Sequence, residues 1–115
     1  MAYTSKFQTL ADAAMARVEG VPADQVNALM AEGAVAVDIR DPDEHAAGHI
    51  PGSVHLSRGK LEMNVEGLLP DLSTPILTYC NANNRGALSA AALRDMGYVN
   101  ARYIAGGLKA WKALG

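Results

Sequence analysis

The sequence predicts an α/β domain in which helices cover both faces of an open parallel sheet. Segments typical of strands alternate along the chain with segments of helical periodicity. Residues 34–39 and 76–79 are apolar at nearly every position, which is typical of strands buried on both faces. A chain of 115 residues suits one such domain, because a domain typically holds roughly 100–200 residues.

The first predicted elements are two helices joined by a short extended segment. Residues 4–18 place apolar side chains three and four positions apart, which forms the stripe of an amphipathic helix. The extended segment at residues 18–21 ends at Pro22. Pro22 opens a second helix, and Gly33 ends it.

The remaining elements continue the alternation. Beyond the strand at residues 34–39 we expect a short helix at 43–47, a turn at 48–52, a strand at 53–56 and a helical segment at 58–69. Beyond the strand at residues 76–79 we expect a polar loop, a helix from about 86 to 96, a strand at 102–104 and a last helix carrying Leu108, Trp111 and Leu114.

Composition and charge exclude several classes of protein. Ten Lys and Arg against twelve Asp and Glu give a formal net charge of −2, so the chain lacks the broad basic field that nucleic acid requires. No apolar run reaches the roughly 18 residues of a membrane span, and Asp12 interrupts the apolar stretch that a signal peptide would keep continuous. We expect a cytoplasmic protein with no nucleic-acid or membrane partner, in which residues 1–17 form a helical arm and residues 18–115 form the body.

The single cysteine, Cys80, excludes internal disulfides and cysteine-rich metal clusters. A lone cysteine is often a small core residue at the end of a strand. Cys80, however, directly follows the strand at residues 76–79, and open parallel sheets bind ligands beyond the carboxyl ends of their strands. The three histidines show no metal-ligand spacing with a third ligand, so we expect no metal site and no cofactor.

The loop after Cys80 has the composition of an anion-binding site. Asparagine tolerates left-handed backbone conformations, so its three asparagines would let the loop turn successive N–H groups inward. A helix starting near Gly86 would add its N-terminal N–H groups, and Arg85 would supply a fixed cation or close the loop. Such a loop would stabilise the thiolate of Cys80 and make it nucleophilic. The expected binding residues are Asn81, Ala82, Asn83, Asn84 and Gly86.

Asp38 and Arg40 lie at the end of the first buried strand. We expect the Asp38 carboxylate to bond backbone donors or a basic side chain and so to hold the loops in place. A catalytic role for this carboxylate is the alternative. In the turn at residues 48–52 we expect His49 to order the turn by hydrogen bonding rather than to act as a base.

Several groups of residues occur in a characteristic order. They are Val37-Asp38-Ile39-Arg40 followed by Glu44-His45, then Gly48-His49-Ile50-Pro51-Gly52-Ser53, Tyr79-Cys80 with Arg85, Met96-Gly97-Tyr98, and Ile104-Ala105-Gly106-Gly107-Leu108-Lys109-Ala110-Trp111. In this order and spacing, residues 18–112 resemble the family of rhodanese-like sulfurtransferases. The loop departs from the usual family pattern at Asn83, where glycine is common, and at Gly86, where serine or threonine is common.

The resemblance implies a five-stranded parallel sheet and a Cys80 that carries sulfur as a persulfide. We expect Cys80 and Arg85 to be the catalytic residues, with Arg85 and the loop N–H groups holding the bound anion. The resemblance also implies that the six-residue loop from Cys80 to Arg85 suits sulfane sulfur, since related phosphatases and arsenate reductases have a loop one residue longer. It places the segment of Arg58 over this loop, where the guanidinium would hold the sulfonate end of thiosulfate. A solvated surface arginine is the alternative. We expect sulfur to pass from thiosulfate or a persulfide to cyanide, a small thiol or a protein thiol. The alternative is a non-catalytic sulfur carrier or sensing module that serves a protein partner.

Overall fold

Residues 3–115 are described by a computed structural model, and they form the five-stranded parallel sheet that the resemblance implies. The strands are β1 (Gly20–Val21), β2 (Val35–Asp38), β3 (Val54–His55), β4 (Ile76–Tyr79) and β5 (Ala101–Ile104). They lie in the order β1-β5-β4-β2-β3, and every neighbouring pair is parallel. Because Asp38 of β2 pairs in register with Tyr79 of β4, the segments that follow these two strands start side by side.

The helices lie on both faces of the sheet, as predicted. They are α1 (Ser5–Arg17), α2 (Val26–Ala31), α3 (Pro42–Ala47), α4 (Leu61–Leu68), α5 (Asn84–Asp95) and α6 (Gly107–Lys112), with 3₁₀ turns at Ala23–Gln25 and Arg58–Lys60. Within residues 3–115, no helix combines the length and the hydropathy needed to cross a bilayer.

Three helices differ from the prediction. The helix expected to open at Pro22 begins only at Val26, after a 3₁₀ turn in which the Gln25 N–H donates to the Pro22 carbonyl (3.0 Å). Helix α5 begins at Asn84, two residues earlier than expected, because the N–H of Ala87 already donates to the carbonyl of Asn83 (2.9 Å) and closes the first turn. The segment at residues 58–69 is not one helix. It divides into a 3₁₀ turn, in which the Lys60 N–H donates to the Ser57 carbonyl (2.8 Å), and the following α4.

Side chains alternate between two cores, one on each face of the sheet. The core on the α2 and α6 side contains Val26, Ala36, Ile50, Leu77, Tyr79, Ile104 and Leu108. The core on the α4 and α5 side contains Val37, Ile39, Leu61, Val65, Ile76, Cys80 and Leu93. Burial on both faces explains why the two central strands are apolar at nearly every position. The alternation also places the Cys80 side chain on the α5 side of the sheet.

Helix α1 forms an outer layer against α5. Its small side chains Ala11 and Ala14 are buried, and Ala14 packs with Ala87, Ala90 and Ala91 of α5. Alanine on both helices permits a close approach of the two backbones. The arm that the sequence predicts at residues 1–17 is therefore, where the structure describes it, a helix docked on α5.

The start of α6 lies against the loop that follows β4. Gly106 and Gly107 have φ angles of +76° and +58°, in the left-handed region that favours glycine. A Cβ on Gly107 would clash with the carbonyl oxygens of Cys80 and Ala82. Only a residue without a side chain permits this approach of two backbones.

Replacing Gly107 by alanine tests this close approach. We expect Gly107→Ala to lower the free energy of unfolding by about 2–4 kcal/mol, because the new Cβ meets two carbonyl oxygens in a strained backbone conformation. Urea denaturation measures the change. The control is Gly67→Ala in α4, where a Cβ has no neighbour within 4 Å and alanine stabilises a helix by up to about 1 kcal/mol. Equal stability of Gly107→Ala and the natural protein would contradict the account.

Candidate functional site

The candidate site is the loop between β4 and α5, at residues 80–85. Cys80 is 3% exposed, so its sulfur lies at the base of this loop. The backbone N–H of Gly86, in the first turn of α5, donates to the Cys80 sulfur at 3.4 Å. A backbone donor and the positive end of the α5 dipole both favour a negative charge on sulfur. The predicted contribution of α5 to the thiol environment is thus present through Gly86.

Hydrogen bonds from helix α6 fix the orientation of the loop backbone. The N–H of Leu108 donates to the Cys80 carbonyl (2.8 Å), and the N–H of Lys109 donates to the Asn81 carbonyl (3.1 Å). Within residues 3–115, none of the N–H groups of residues 81–85 donates to a protein acceptor. The first two carbonyls of the loop are thus bonded to α6, and the N–H groups of residues 81–85 are left free. Free N–H groups of successive residues are typical of an anion-binding nest.

The prediction that asparagines of the loop adopt left-handed backbone conformations is wrong. No residue other than glycine has a positive φ within residues 3–115, and Asn83 has φ −117°. The loop does not need a left-handed residue, because the bonds from α6 already hold its carbonyls to one side. The asparagine at position 83 has a different role: its Oδ1 accepts the N–H of Gly106 at 2.7 Å.

The other two asparagine side chains also have protein partners. Asn84 exchanges hydrogen bonds with Gln8 of α1, from Asn84 Nδ2 to Gln8 Oε1 (3.0 Å) and from Gln8 Nε2 to Asn84 Oδ1 (3.3 Å). Asn81 accepts from Arg40 Nη1 at 3.0 Å and donates to Glu44 Oε2 at 2.9 Å. The asparagines therefore fix the loop through their side chains, and its backbone N–H groups remain the available donors.

Glu44 of α3 joins both ends of the loop, a role that the sequence analysis did not find. Its carboxylate accepts from Asn81 and from both terminal nitrogens of Arg85, Nη1 at 3.0 Å and Nη2 at 3.2 Å. Hydrogen bonding to Arg85 lowers the pKa of Glu44 to about 2, and the same contact raises the pKa of Arg85. Of the two expected roles, a fixed cation or a side chain that closes the loop through its carbonyls, Arg85 has the first, and its charge is compensated by the Glu44 carboxylate.

A local signal for Glu44 exists in the sequence. Asp41 and Glu44, three positions apart, form a capping box at the start of α3, where the Asp41 N–H donates to Glu44 Oε1 at 3.1 Å. This box places Glu44 in the first turn after β2, beside the end of β4.

Asp38 and Arg40 form a buried ion pair under the loop. The Asp38 carboxylate accepts from the Arg40 backbone N–H (3.0 Å), from Nε (2.9 Å) and from Nη2 (2.7 Å). Burial raises the pKa of Asp38, but the bonds from Arg40 outweigh it and hold this pKa below its usual value. Arg40 Nη2 also donates to the Gly48 carbonyl at 2.6 Å. Arg40 therefore connects the turn after α3 with Asn81 of the cysteine loop.

The three histidines stack beside this ion pair. The His45 ring lies 3.8 Å from His49 and 4.6 Å from His55 between centroids. His45 Nδ1 lies 2.9 Å from the Asp38 carboxylate, and His49 Nδ1 donates to the His45 carbonyl at 2.8 Å. His49 thus bonds to α3, directly before the turn in which it lies, and within residues 3–115 its ring makes no hydrogen bond to the cysteine loop.

Arg58 begins the 3₁₀ turn after β3, and its backbone N–H donates to the carbonyl of Ile39 at 2.9 Å. Its guanidinium pairs with Glu62 at 2.7 Å. The side chain lines a surface groove between α1 and α5, together with Leu10 and Leu88. A contact between Arg58 and the sulfonate of thiosulfate stays a prediction.

Comparison with known proteins agrees with this architecture. The thiosulfate sulfurtransferase GlpE of Pseudomonas entomophila is 38% identical over 99 residues, which are 86% of this chain and 89% of the relative. The human single-domain sulfurtransferase TSTD1 is 27% identical, with a TM-score of 0.76 over 84% of this chain and 96% of its own.

A further solved structure, from Rhodopseudomonas palustris, matches 100% of this chain and 95% of its own with a TM-score of 0.80 and 32% identity. It is described as a protein of unknown function and a possible tyrosine phosphatase. The family model of the rhodanese-like domain matches residues 22–114. The chain therefore belongs to the family of rhodanese-like domains.

Proposed function

We propose that the protein is a thiosulfate sulfurtransferase that carries sulfane sulfur on Cys80 as a persulfide. One observation carries the proposal. Cys80 lies at the base of a loop in which, within residues 3–115, the N–H groups of residues 81–85 have no protein acceptor. The N–H of Gly86 already contacts the Cys80 sulfur. These donors suit a sulfur anion that gains an outer sulfur atom and then loses it. The names of the curated relatives support the same reaction class.

The reaction has two half-steps. The Cys80 thiolate attacks the outer sulfur of thiosulfate, the S–S bond of the donor breaks, and sulfite leaves with the bonding electron pair. The product is a Cys80 persulfide anion within the loop. Cyanide, a small thiolate or a protein thiolate then attacks the outer sulfur and regenerates the Cys80 thiolate. With cyanide the product is thiocyanate.

The two ion pairs contribute to the proposed reaction by holding the loop in position. Arg85 and Glu44 hold the far end of the loop, and Asp38 and Arg40 hold the near end through Asn81. Asp38 is therefore proposed as a positioning residue, and so is Arg40. Arg85 lies at the last loop position, where its bonds to Glu44 hold the loop around Cys80.

Two other functions are distinguishable by experiment. A sulfur carrier would form the persulfide but pass it only to a protein thiol, so the absence of turnover with cyanide would favour it. The description of the Rhodopseudomonas palustris structure raises phosphatase activity as another candidate. Four residues separate Cys80 from Arg85, a small ring for the three equatorial oxygens of a phosphoryl group. We expect negligible hydrolysis of aryl phosphates.

The test of the proposal is the intact mass of the protein after incubation with thiosulfate. We expect the mass of one additional sulfur atom, its loss on addition of cyanide, and release of thiocyanate. Cys80→Ser should show neither the adduct nor the product, since no other thiol is present. Turnover that persists in Cys80→Ser would sink the mechanism.

Variants of Arg85 test the bond between Arg85 and Glu44. Arg85→Ala should lower kcat/KM by about 10- to 100-fold, because small displacements of reacting groups are costly. The free energy of unfolding should fall by less than about 1 kcal/mol, since the pair is partly exposed. Arg85→Lys should recover only part of the activity, because a single ammonium cannot reproduce the two-nitrogen contact. An unfolded Arg85→Ala whose folded fraction reacts normally would show that the role of Arg85 is structural.

The lowered pKa of Glu44 predicts how the free energy of unfolding depends on pH. Its pKa falls from 4.5 to about 2 on folding, so the stabilisation is complete above 4.5 and is lost as the pH falls toward 2. We expect the free energy of unfolding to drop more between pH 5 and pH 3 in the natural protein than in Glu44→Gln, as urea denaturation at each pH would show. The comparison isolates the contribution of Glu44 to the pH dependence, because Asp38, whose pKa is also lowered, is present in both proteins. Parallel profiles would contradict the assignment.

A further inference from the structure

Two buried hydroxyl groups lie beside the cysteine loop and take no part in the ion pairs that hold it. Apart from tyrosine and cysteine, the buried polar or charged side chains within residues 3–115 are Asp38, Arg40, Asn84, Thr78 and Ser89. The first three hold the loop through the bonds described above. Thr78 and Ser89 are both fully buried. Burying a hydroxyl group is costly unless it is hydrogen-bonded, so the partners of these two indicate their role.

Ser89 of α5 bonds the peptide group whose N–H contacts the cysteine. Its Oγ donates to the carbonyl of Arg85 at 2.7 Å. This carbonyl and the N–H of Gly86 belong to the same peptide group, and that N–H donates to the Cys80 sulfur at 3.4 Å. A peptide group is planar, so a bond that fixes its carbonyl also fixes the direction of its N–H. The bond to the carbonyl also polarises the peptide group and strengthens the N–H as a donor.

Thr78 of β4 holds the next peptide group from the side of the sheet. Its Oγ1 donates to the carbonyl of Gly86 at 2.7 Å and to that of Arg102 at 3.3 Å. Gly86 lies close against β4, since a Cβ on it would be 3.3 Å from the Cα of Tyr79. Glycine restricts its own backbone angles less than any other residue. Two hydroxyl groups, one from each element, therefore fix the peptide groups on either side of the Gly86 Cα.

Helix α5 does not need the hydroxyl of Ser89 for its own stability. Four of its twelve residues are alanine, which is smaller than serine and a better helix former. The carbonyls of Arg85 and Gly86 lie in the first turn of the helix, where each faces the backbone N–H four residues further on. The hydroxyl groups are thus second donors to these carbonyls. Their effect falls on the Gly86 N–H, the only donor to the Cys80 sulfur within residues 3–115.

We propose that Thr78 and Ser89 are positioning residues that hold the Gly86 N–H against the sulfur of Cys80 and so stabilise its thiolate. The proposal deepens the proposed function and rests on it, because a stabilised thiolate serves sulfur transfer only if Cys80 is the nucleophile. Neither hydroxyl group makes or breaks a covalent bond, and each keeps its proton. The stabilisation of the thiolate is measurable without a sulfur donor.

The test is the alkylation of Cys80 by iodoacetamide at a series of pH values. The thiolate attacks the carbon that bears iodine, a C–S bond forms, and iodide leaves. Cys80 is the only thiol of the chain, so the reaction reports on this sulfur alone. We expect Ser89→Ala and Thr78→Val each to move the midpoint of the pH profile upward by about half a pH unit, a roughly threefold change in the thiol–thiolate equilibrium.

Two control variants separate this role from a structural one. Thr9→Ala removes the same kind of bond from the exposed face of α1, where Thr9 Oγ1 donates to the Ser5 carbonyl at 2.8 Å. It should leave the pH profile unchanged. Thr78→Ser keeps the hydroxyl and removes only a buried methyl group, so it should lower the urea midpoint and keep the natural pH profile. Ser89→Ala should shift the profile without lowering the urea midpoint.

The amide proton of Gly86 gives a second readout in the ¹⁵N-labelled protein. A weaker bond to sulfur should move its resonance upfield in Ser89→Ala and Thr78→Val, and unchanged pH profiles and Gly86 resonances in both variants would overturn the proposal. If Thr78→Val does not fold, Ser89→Ala decides the question alone, since alanine suits a helix. If the profile shifts as expected but thiosulfate adds no sulfur to Cys80, the positioning role is supported and the proposed function fails.

Discussion

Two backbone hydrogen bonds from the first turn of α6 determine what the cysteine loop can bind. Leu108 and Lys109 donate to the carbonyls of Cys80 and Asn81, and the contact is possible because Gly107 has no side chain. With the carbonyls held on that side, the N–H groups of the loop are available to an anion. In the proposed reaction that anion forms on the Cys80 sulfur, which Gly86 already contacts. The contact between α6 and the cysteine loop therefore links the fold to the proposed chemistry of Cys80.

Around this backbone, side chains act mainly as a frame. The Glu44–Arg85 pair and the Asp38–Arg40 pair connect the segments after β2 and β4, which the parallel register places side by side. In the buried pair, Arg40 bonds Asp38, Gly48 and Asn81, so removing either partner would leave a charge without compensation. The result is a loop held by two compensated ion pairs, which suits the small sulfur anion of the proposed reaction.

The fold class and the position of the thiol could be predicted from the sequence because both follow from local patterns, whereas the number of strands was implied by the family resemblance. Continuous apolar runs predicted the two central strands, and the place of Cys80 after the second run predicted the site. The conformation of the loop was wrong, since the contacts of residues 80–81 with residues 108–109 depend on tertiary structure and not on the local preferences of asparagine. The Gln8–Asn84 pair, 76 positions apart, was invisible for the same reason. Glu44 was missed although its capping box is a local signal.

The most direct test of the central claim, that the N–H groups of the loop hold the sulfur anion, is an amide NMR spectrum of the ¹⁵N-labelled protein before and after loading with sulfur. The protein, at 12.1 kDa, is small enough for residue-specific assignment. We expect the largest changes in amide shift at residues 81–86, and we expect them to reverse when an acceptor removes the sulfur. Unchanged amides at these positions, with a sulfur atom on Cys80, would contradict it.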